Sequence, residues 1–297
     1  CIQHAFIDLL SCAFRNQDTQ KTTQLEVTNS TAQQINESML YAWKIQKAML
    51  PNKTEFNLLF PNHFIIYKPK HYVSGDFFWL KSKGSKTYFA LADSTGHGVP
   101  GAFMSILGIT SLNEISSLFN EWYSMLPSDI LNHLRIKLIN SLNQSGKSYE
   151  EVNDGIDIAM CIFDRETQKL QYAGANIPLY VVRNNILQEY RCQKMPVGIS
   201  PRMNEPFTTT TIQLNEGDNL YLASDGYADQ FGSKNNKKFK RKSLKQQFAL
   251  ISNQDSKTQK QILTDTLHFW QNGNEQTDDI TVMGITISKA STFDYKI

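Results

Sequence analysis

The sequence predicts an α+β protein built on antiparallel sheets. Apolar, β-prone runs arrive in groups separated by short turn-forming stretches, and helical patterns come in pairs instead of alternating singly with strands. A further observation concerns chemistry. Four of these runs carry aspartate at one end, three of them directly beside a glycine or a second acid.

The elements follow in chain order. Ile35, Met39, Ala42, Ile45 and Met49 recur at spacings of four and three and paint one apolar stripe on a helix. Leu50-Pro51-Asn52 ends it. The stripe suits either a helix lying on its own domain or a short seam with a second copy. Strands are expected over His63 to Lys68, Asp76 to Leu80 and Thr87 to Asp93, then helices over Gly101 to Phe119 and Ser128 to Leu142. A second block of strands covers Asp157 to Asp164, Lys169 to Gly174, Pro178 to Arg183, Phe207 to Leu214 and Leu220 to Asp225. Helices near Ser243 to Ile251 and Thr258 to Trp270 precede a last strand, Ile280 to Ile287. Residues 1–24 give no clear pattern.

Two of the aspartates belong to one predicted hairpin. Lys81 to Lys86 has turn composition around Gly84, and folding the chain back there pairs Asp76 with Asp93. Side chains directly opposite on antiparallel strands lie about 5 Å apart, where like charges repel. A cation between them resolves the conflict. Asp225-Gly226 and Asp278-Asp279 end or begin two further strands, so the set resembles an oxygen-ligand site for Mg²⁺ or Mn²⁺, unlike the Cys/His sets zinc prefers.

Composition removes other classes. The 40% hydrophobic and 20% charged residues are ordinary for a soluble chain, and a formal charge of +2 gives no reason to expect nucleic acid as a partner. The basic stretch Lys234 to Lys245 reads as a solvated loop and helix start. Cys1, Cys12, Cys161 and Cys192 have no CxxC spacing and read as reduced thiols of a cytoplasmic protein. No apolar run approaches the roughly 18 residues of a membrane span. A chain opening on Cys1 leaves room for a sensor or membrane segment upstream. Gly96-His97-Gly98-Val99-Pro100-Gly101 matches GxGxxG formally, but Pro100 and the missing acid-ended strand about 20 residues on argue against a dinucleotide.

Five segments in order, together spanning about residues 38–288 with the helix before Pro51, carry a family resemblance. Ser74-Gly75-Asp76-Phe77-Phe78, Asp93-Ser94-Thr95-Gly96-His97-Gly98-Val99-Pro100-Gly101-Ala102-Phe103-Met104-Ser105 and Tyr172-Ala173-Gly174-Ala175-Asn176-Ile177-Pro178 are the first three. Ser224-Asp225-Gly226-Tyr227-Ala228-Asp229-Gln230-Phe231-Gly232 and Asp278-Asp279-Ile280-Thr281-Val282 complete the set. The chain resembles bacterial metal-dependent protein phosphatases of the PPM family, SpoIIE-like subgroup. Tyr41 to Pro51 is similar to the helix that often joins an upstream sensor to this domain.

The resemblance implies a four-layer αββα sandwich at 52–290, preceded by an N-terminal segment and linker helix at 1–51 and followed by a tail at 291–297. It implies two Mn²⁺ or Mg²⁺ ions, with Asp93 bridging both and the Ser94 carbonyl on one. Asp225 and Asp278 match ligands of the other, with Asp279 as the alternative to Asp278, and Asp76 matches the acid near the second metal. The activated water of such a site attacks phosphorus in line, so no nucleophilic Ser or Cys is needed. The expected activity is hydrolysis of phosphoserine or phosphothreonine on a regulatory protein, governed by an upstream sensor and by homodimerisation through the N-terminal helix. His97 lies four residues after Asp93 and not two, as in eukaryotic relatives, so a turn or supporting role is expected for it. Asp157 looks like a family position without an assigned role.

Overall fold

The computed structural model describes residues 33–118, 124–144, 154–233 and 236–288. Residues 1–24 and 291–297 lie outside them. The chain forms two compact units, 1–45 and 46–297, and helix α1 covers 33–49. In the first unit Ile35, Leu40, Tyr41 and Ile45 are exposed.

The second unit opens with α2 (Lys53–Leu59), which the sequence reading missed. Its signal is a capping box: the Asn52 side chain accepts from Glu55 N–H at 3.0 Å, and the Glu55 carboxylate accepts from Asn52 N–H at 3.0 Å. Then come β1 (His63–Lys68), β2 (Phe77–Lys83), β3 (Lys86–Ser94), α3 (Gly98–Leu118) and α4 (Pro127–Ser141). The second half contributes β4 (Ile156–Asp164), β5 (Lys169–Ala175), β6 (Leu179–Arg183), β7 (Ile186–Tyr190), β8 (Thr210–Gln213) and β9 (Asn219–Ala223). The last elements are α5 (Gly226–Asp229), α6 (Arg241–Ile251), α7 (Ser256–Gln271) and β10 (Ile280–Thr286).

Three of these correct the sequence expectation. β7 is an edge strand with no fully buried residue, tied to β6 by Asn184-Asn185, both at positive φ as a type I′ turn requires. The strand expected to run through Asp225 stops at Ala223, and α5 begins at Gly226. α3 starts at Gly98, three residues before the expected Gly101.

Two five-stranded antiparallel sheets result, ordered β1-β10-β9-β6-β7 and β2-β3-β4-β5-β8. Strand alternation assigns each side chain to a layer. Phe77 and Trp79 of β2 face α3 and α4 with Met104, Ile109, Leu112, Leu131 and Leu134, whereas Phe78 and Leu80 face the other sheet with Leu91, Leu179, Leu222 and Met283. On the far side, Phe64, Tyr221 and Val282 pack against Leu244, Phe248, Leu263 and Leu267 of α6 and α7. These three apolar layers make the αββα sandwich. Both faces of the central strands are buried, so their sequences read as continuous apolar runs instead of alternating ones.

Candidate metal centre

The acidic strand ends collect at one end of the sandwich. β2 and β3 pair with Phe77 opposite Ala92, and one further step in that register sets Asp76 against Asp93. On the other edge of β3, Asp157 of β4 is directly opposite Asp93. Asp225 follows β9, and Asp278 precedes β10. Asp93, Ser94, Thr95, Gly96, His97, Gly155, Asp157, Asp225 and Asp278 line a cleft of about 190 Å³.

Electrostatics mark the cleft as strained by its own charge. Asp93 is held well above the usual carboxylate range by burial, then by repulsion from Asp76, Asp225, Asp278 and Asp157. Burial raises Asp225 and Asp157 as well; Asp229 and Asp278 add to the first, and Asp225 adds to the second although the Asn176 amide donates to it at 2.8 Å. Asp76 is 1% exposed and is pushed up to about 7, first by burial. Its Oδ2 accepts from Ser224 Oγ at 2.7 Å, while Oδ1 is buried with no hydrogen-bond partner. A buried carboxylate oxygen without a donor is costly.

These observations fit hard divalent cations: the donors are all oxygens, and a buried oxygen of Asp76 lacks a donor. The acids surround the cleft without closing on one point. Among the described residues, no three acidic, His or Cys groups form a finished cage.

The structure separates the two candidates at the start of β10. Asp278 lines the cleft. Asp279 is buried and turned away, its Oδ1 accepting from Lys70 N–H and its Oδ2 from Gly75 N–H, each at 2.7 Å. These two bonds tie it to the 70–75 loop. Ser94 is buried too; its backbone N–H and its hydroxyl both donate to the Gly75 carbonyl. His97 sits at the cleft mouth, where its Nε2 accepts from Lys70 Nζ at 3.0 Å and its ring lies 5.1 Å from that of His71.

Glycines let three backbones meet beneath the cleft. A Cβ on Gly101 would fall 2.2 Å from the Gly96 carbonyl oxygen and 2.9 Å from Gly75 Cα, and one on Gly75 would fall 2.5 Å from that same oxygen. Gly101→Ala is therefore expected to cost about 2–3 kcal/mol in urea unfolding and to lower activity with it. A loss under about 0.5 kcal/mol, the scale of an ordinary surface change, would show that the contact yields easily.

The fold and site define a phosphatase domain of the PP2C class. The chain belongs to the SpoIIE family: the model described as Stage II sporulation protein E (SpoIIE) matches residues 83–288. Among similar solved structures is the SiaA-PP2C domain of Pseudomonas aeruginosa, at 26% identity and TM-score 0.78, covering 87% of this chain and 99% of that one. The phosphatase domain of SpoIIE from Bacillus subtilis, with a fragment of its regulatory domain, shares the fold at 20% identity and TM-score 0.61; the match covers 77% of this chain and 62% of that one. The RsbU and RsbW domains of Rv1364c from Mycobacterium tuberculosis share it at 19% identity and TM-score 0.58, over 78% of this chain and 62% of that one. No curated protein matches. The chain is thus a metal-dependent serine/threonine protein phosphatase of the SpoIIE type, a signalling hydrolase. Among the described residues no helix is long and apolar enough to cross a membrane.

Proposed function

We propose that the cleft binds two Mg²⁺ or Mn²⁺ ions and dephosphorylates phosphoserine or phosphothreonine on a regulatory protein. The observation that carries this reading is Asp93, facing Asp76 on one side and Asp157 on the other with Asp225 and Asp278 across the cleft. When bound, such cations acidify a water and neutralise charge on phosphoryl oxygens. Asp93, the Ser94 carbonyl, Asp225 and Asp278 would hold the ions. Asp76, whose Oδ1 lacks a donor, would support them directly or through water. Asp279 keeps the loop carrying Gly75 and Asp76 in place.

At the mouth, the ammonium of Lys70 beside His97 supplies positive charge where a phosphorylated side chain enters. The exposed apolar residues of α1, Ile35, Tyr41 and Ile45, support pairing of two copies through that helix. An upstream sensor and a cytoplasmic setting complete the reading.

The test is hydrolysis of a phosphoserine or phosphothreonine peptide in EDTA, Mg²⁺ and Mn²⁺. Turnover is expected with either cation and not in EDTA. Undiminished turnover in EDTA would overturn the assignment.

A further inference from the structure

We propose that Arg241 and Lys194 form a cationic rim on the Asp157 side of the cleft, selecting substrates that carry acidic side chains next to the phosphorylated residue. This selectivity rests on the phosphatase reading above, whose cleft takes the phosphoryl group itself. Arg241 belongs to the basic stretch that the sequence alone presents as solvated, and the fold turns that stretch toward the site.

Two separate segments bring the cations there. The first, 193–197, is pinned at both ends beside Asp157. Gln193 N–H donates to the Gly174 carbonyl and the Gln193 carbonyl accepts from Asn176 N–H, each at 2.9 Å, and it is the Asn176 amide that donates to Asp157. Val197 exchanges both backbone bonds with Ile156, at 2.8 and 3.0 Å. Lys194 lies between these anchors and is exposed. The second segment leads into α6. Phe239 N–H donates to the Gln230 carbonyl at 3.0 Å and Lys240 N–H to the Ala228 carbonyl at 2.7 Å, which lays the chain against the turn that follows Asp225. One helical turn past Arg241, Lys245 pairs with Glu189 of β7 at 2.9 Å. Residues four apart share a helix face, so Arg241 overlies the chain leaving β7 toward Cys192.

Both cations therefore meet near one thiol. The Cys192 thiol is raised first by burial, and Lys194 and Arg241 both act to lower it. Their charge also reaches the cleft: burial comes first in raising Asp157, and Arg241 and Lys194 are the cations that oppose that rise. Among the described residues neither forms an ion pair, whereas Lys238 is already held by Asp229 at 2.8 Å. Neither lines the cleft, so their partner is what flanks the phosphorylated residue. Local stability does not favour a cation here. Arg241 opens a helix with no acid in its first turn, where the macrodipole prefers one, and Lys240 before it sits at φ 76°. A substrate bearing acids would otherwise be repelled by Asp157, Asp225 and Asp278; the rim reverses the sign of the field along its approach.

The experiment compares kcat/KM in Mn²⁺ for phosphoserine peptides of one length whose flanking residues are all Glu or all Gln. Wild type should favour the Glu peptide about fivefold or more, chiefly through KM, the scale of one or two exposed ion pairs. With Arg241→Gln and Lys194→Gln combined, that ratio should fall below about twofold. Lys81→Gln, exposed at the end of β2 away from Asp76, should keep the wild-type ratio. A wild type without preference, or a double variant that retains it, would overturn the rim. A double variant that changes the Mn²⁺ Kd and leaves the ratio alone would overturn it equally, reducing both residues to counter-charges for the cleft acids. Binding supplies a readout independent of turnover: the unphosphorylated Glu peptide should shift the backbone amide resonances of 192–194 and 240–242. Resonances that stay fixed at millimolar peptide would count against the rim even in a chain that hydrolyses nothing. Absence of turnover for every phosphopeptide in Mg²⁺ and Mn²⁺, with those shifts present, would instead overturn the phosphatase reading.

Discussion

Asp93→Asn should abolish turnover and, in the same protein, raise the stability of the metal-free form. Asp93 is the carboxylate every other acid of the cleft acts upon: burial and repulsion from Asp76, Asp225, Asp278 and Asp157 all disfavour its charge. Asparagine keeps the shape and removes the charge. Relief of repulsion at such a site is worth about 1 kcal/mol in EDTA, on the scale of stabilising changes made at active sites. The functional loss should exceed the 10–100-fold that follows removal of a mere supporting partner. Peptide hydrolysis, Mn²⁺ titration and urea unfolding in EDTA check the three parts. Full activity with unchanged Mn²⁺ affinity would remove Asp93 from the bridging position.

The second large effect is the pH dependence of the metal-free protein. Asp76 has a folded pKa raised from 3.8 to about 7, and Asp93, Asp157 and Asp225 are raised in the same direction. Between 3.8 and about 7 the folded state therefore binds more protons than the unfolded one, and stability falls as pH rises through that window. Two groups act in the opposite sense. Asp164 is lowered and acts only below 3.8, and His63, lowered first by burial, takes stability away as pH falls past 6.5. Thermal unfolding in EDTA from pH 5 to 8 should thus show a declining midpoint, less steep in Asp93→Asn. Mn²⁺ at 100 times its Kd should restore about 2.7 kcal/mol by mass action. A midpoint that rises with pH in EDTA would contradict the crowding of carboxylates.

How much of this the sequence discloses depends on how local each signal is. The opposition of Asp76 and Asp93 was legible because one turn, near Gly84, sets the register of both strands. That Asp157 also faces Asp93 was not, since the β3–β4 pairing joins strands separated by two helices. Asp278 and Asp279 are identical in type and adjacent, and only the fold shows that one lines the cleft while the other accepts from Lys70 and Gly75. Gln46 is buried on a helix whose apolar stripe was evident, and nothing in its sequence context separates it from the exposed Lys47. β7 escaped notice for a related reason. An edge strand with no fully buried residue imprints little on its sequence, and the Asn184-Asn185 turn was its clearest local signature.

The pairing of β1 with β10, His63 against Ile285 through Lys68 against Ile280, has a consequence for biosynthesis. The strand nearest the start of the catalytic unit stays without that neighbour until the segment near its end has been translated. Asp278 arrives with the same segment. A nascent chain halted anywhere before it carries Asp76, Asp93, Asp157 and Asp225 but neither the closing strand nor the final acid of the cleft. On the metal-centre reading, hydrolysis is therefore expected only of the finished chain.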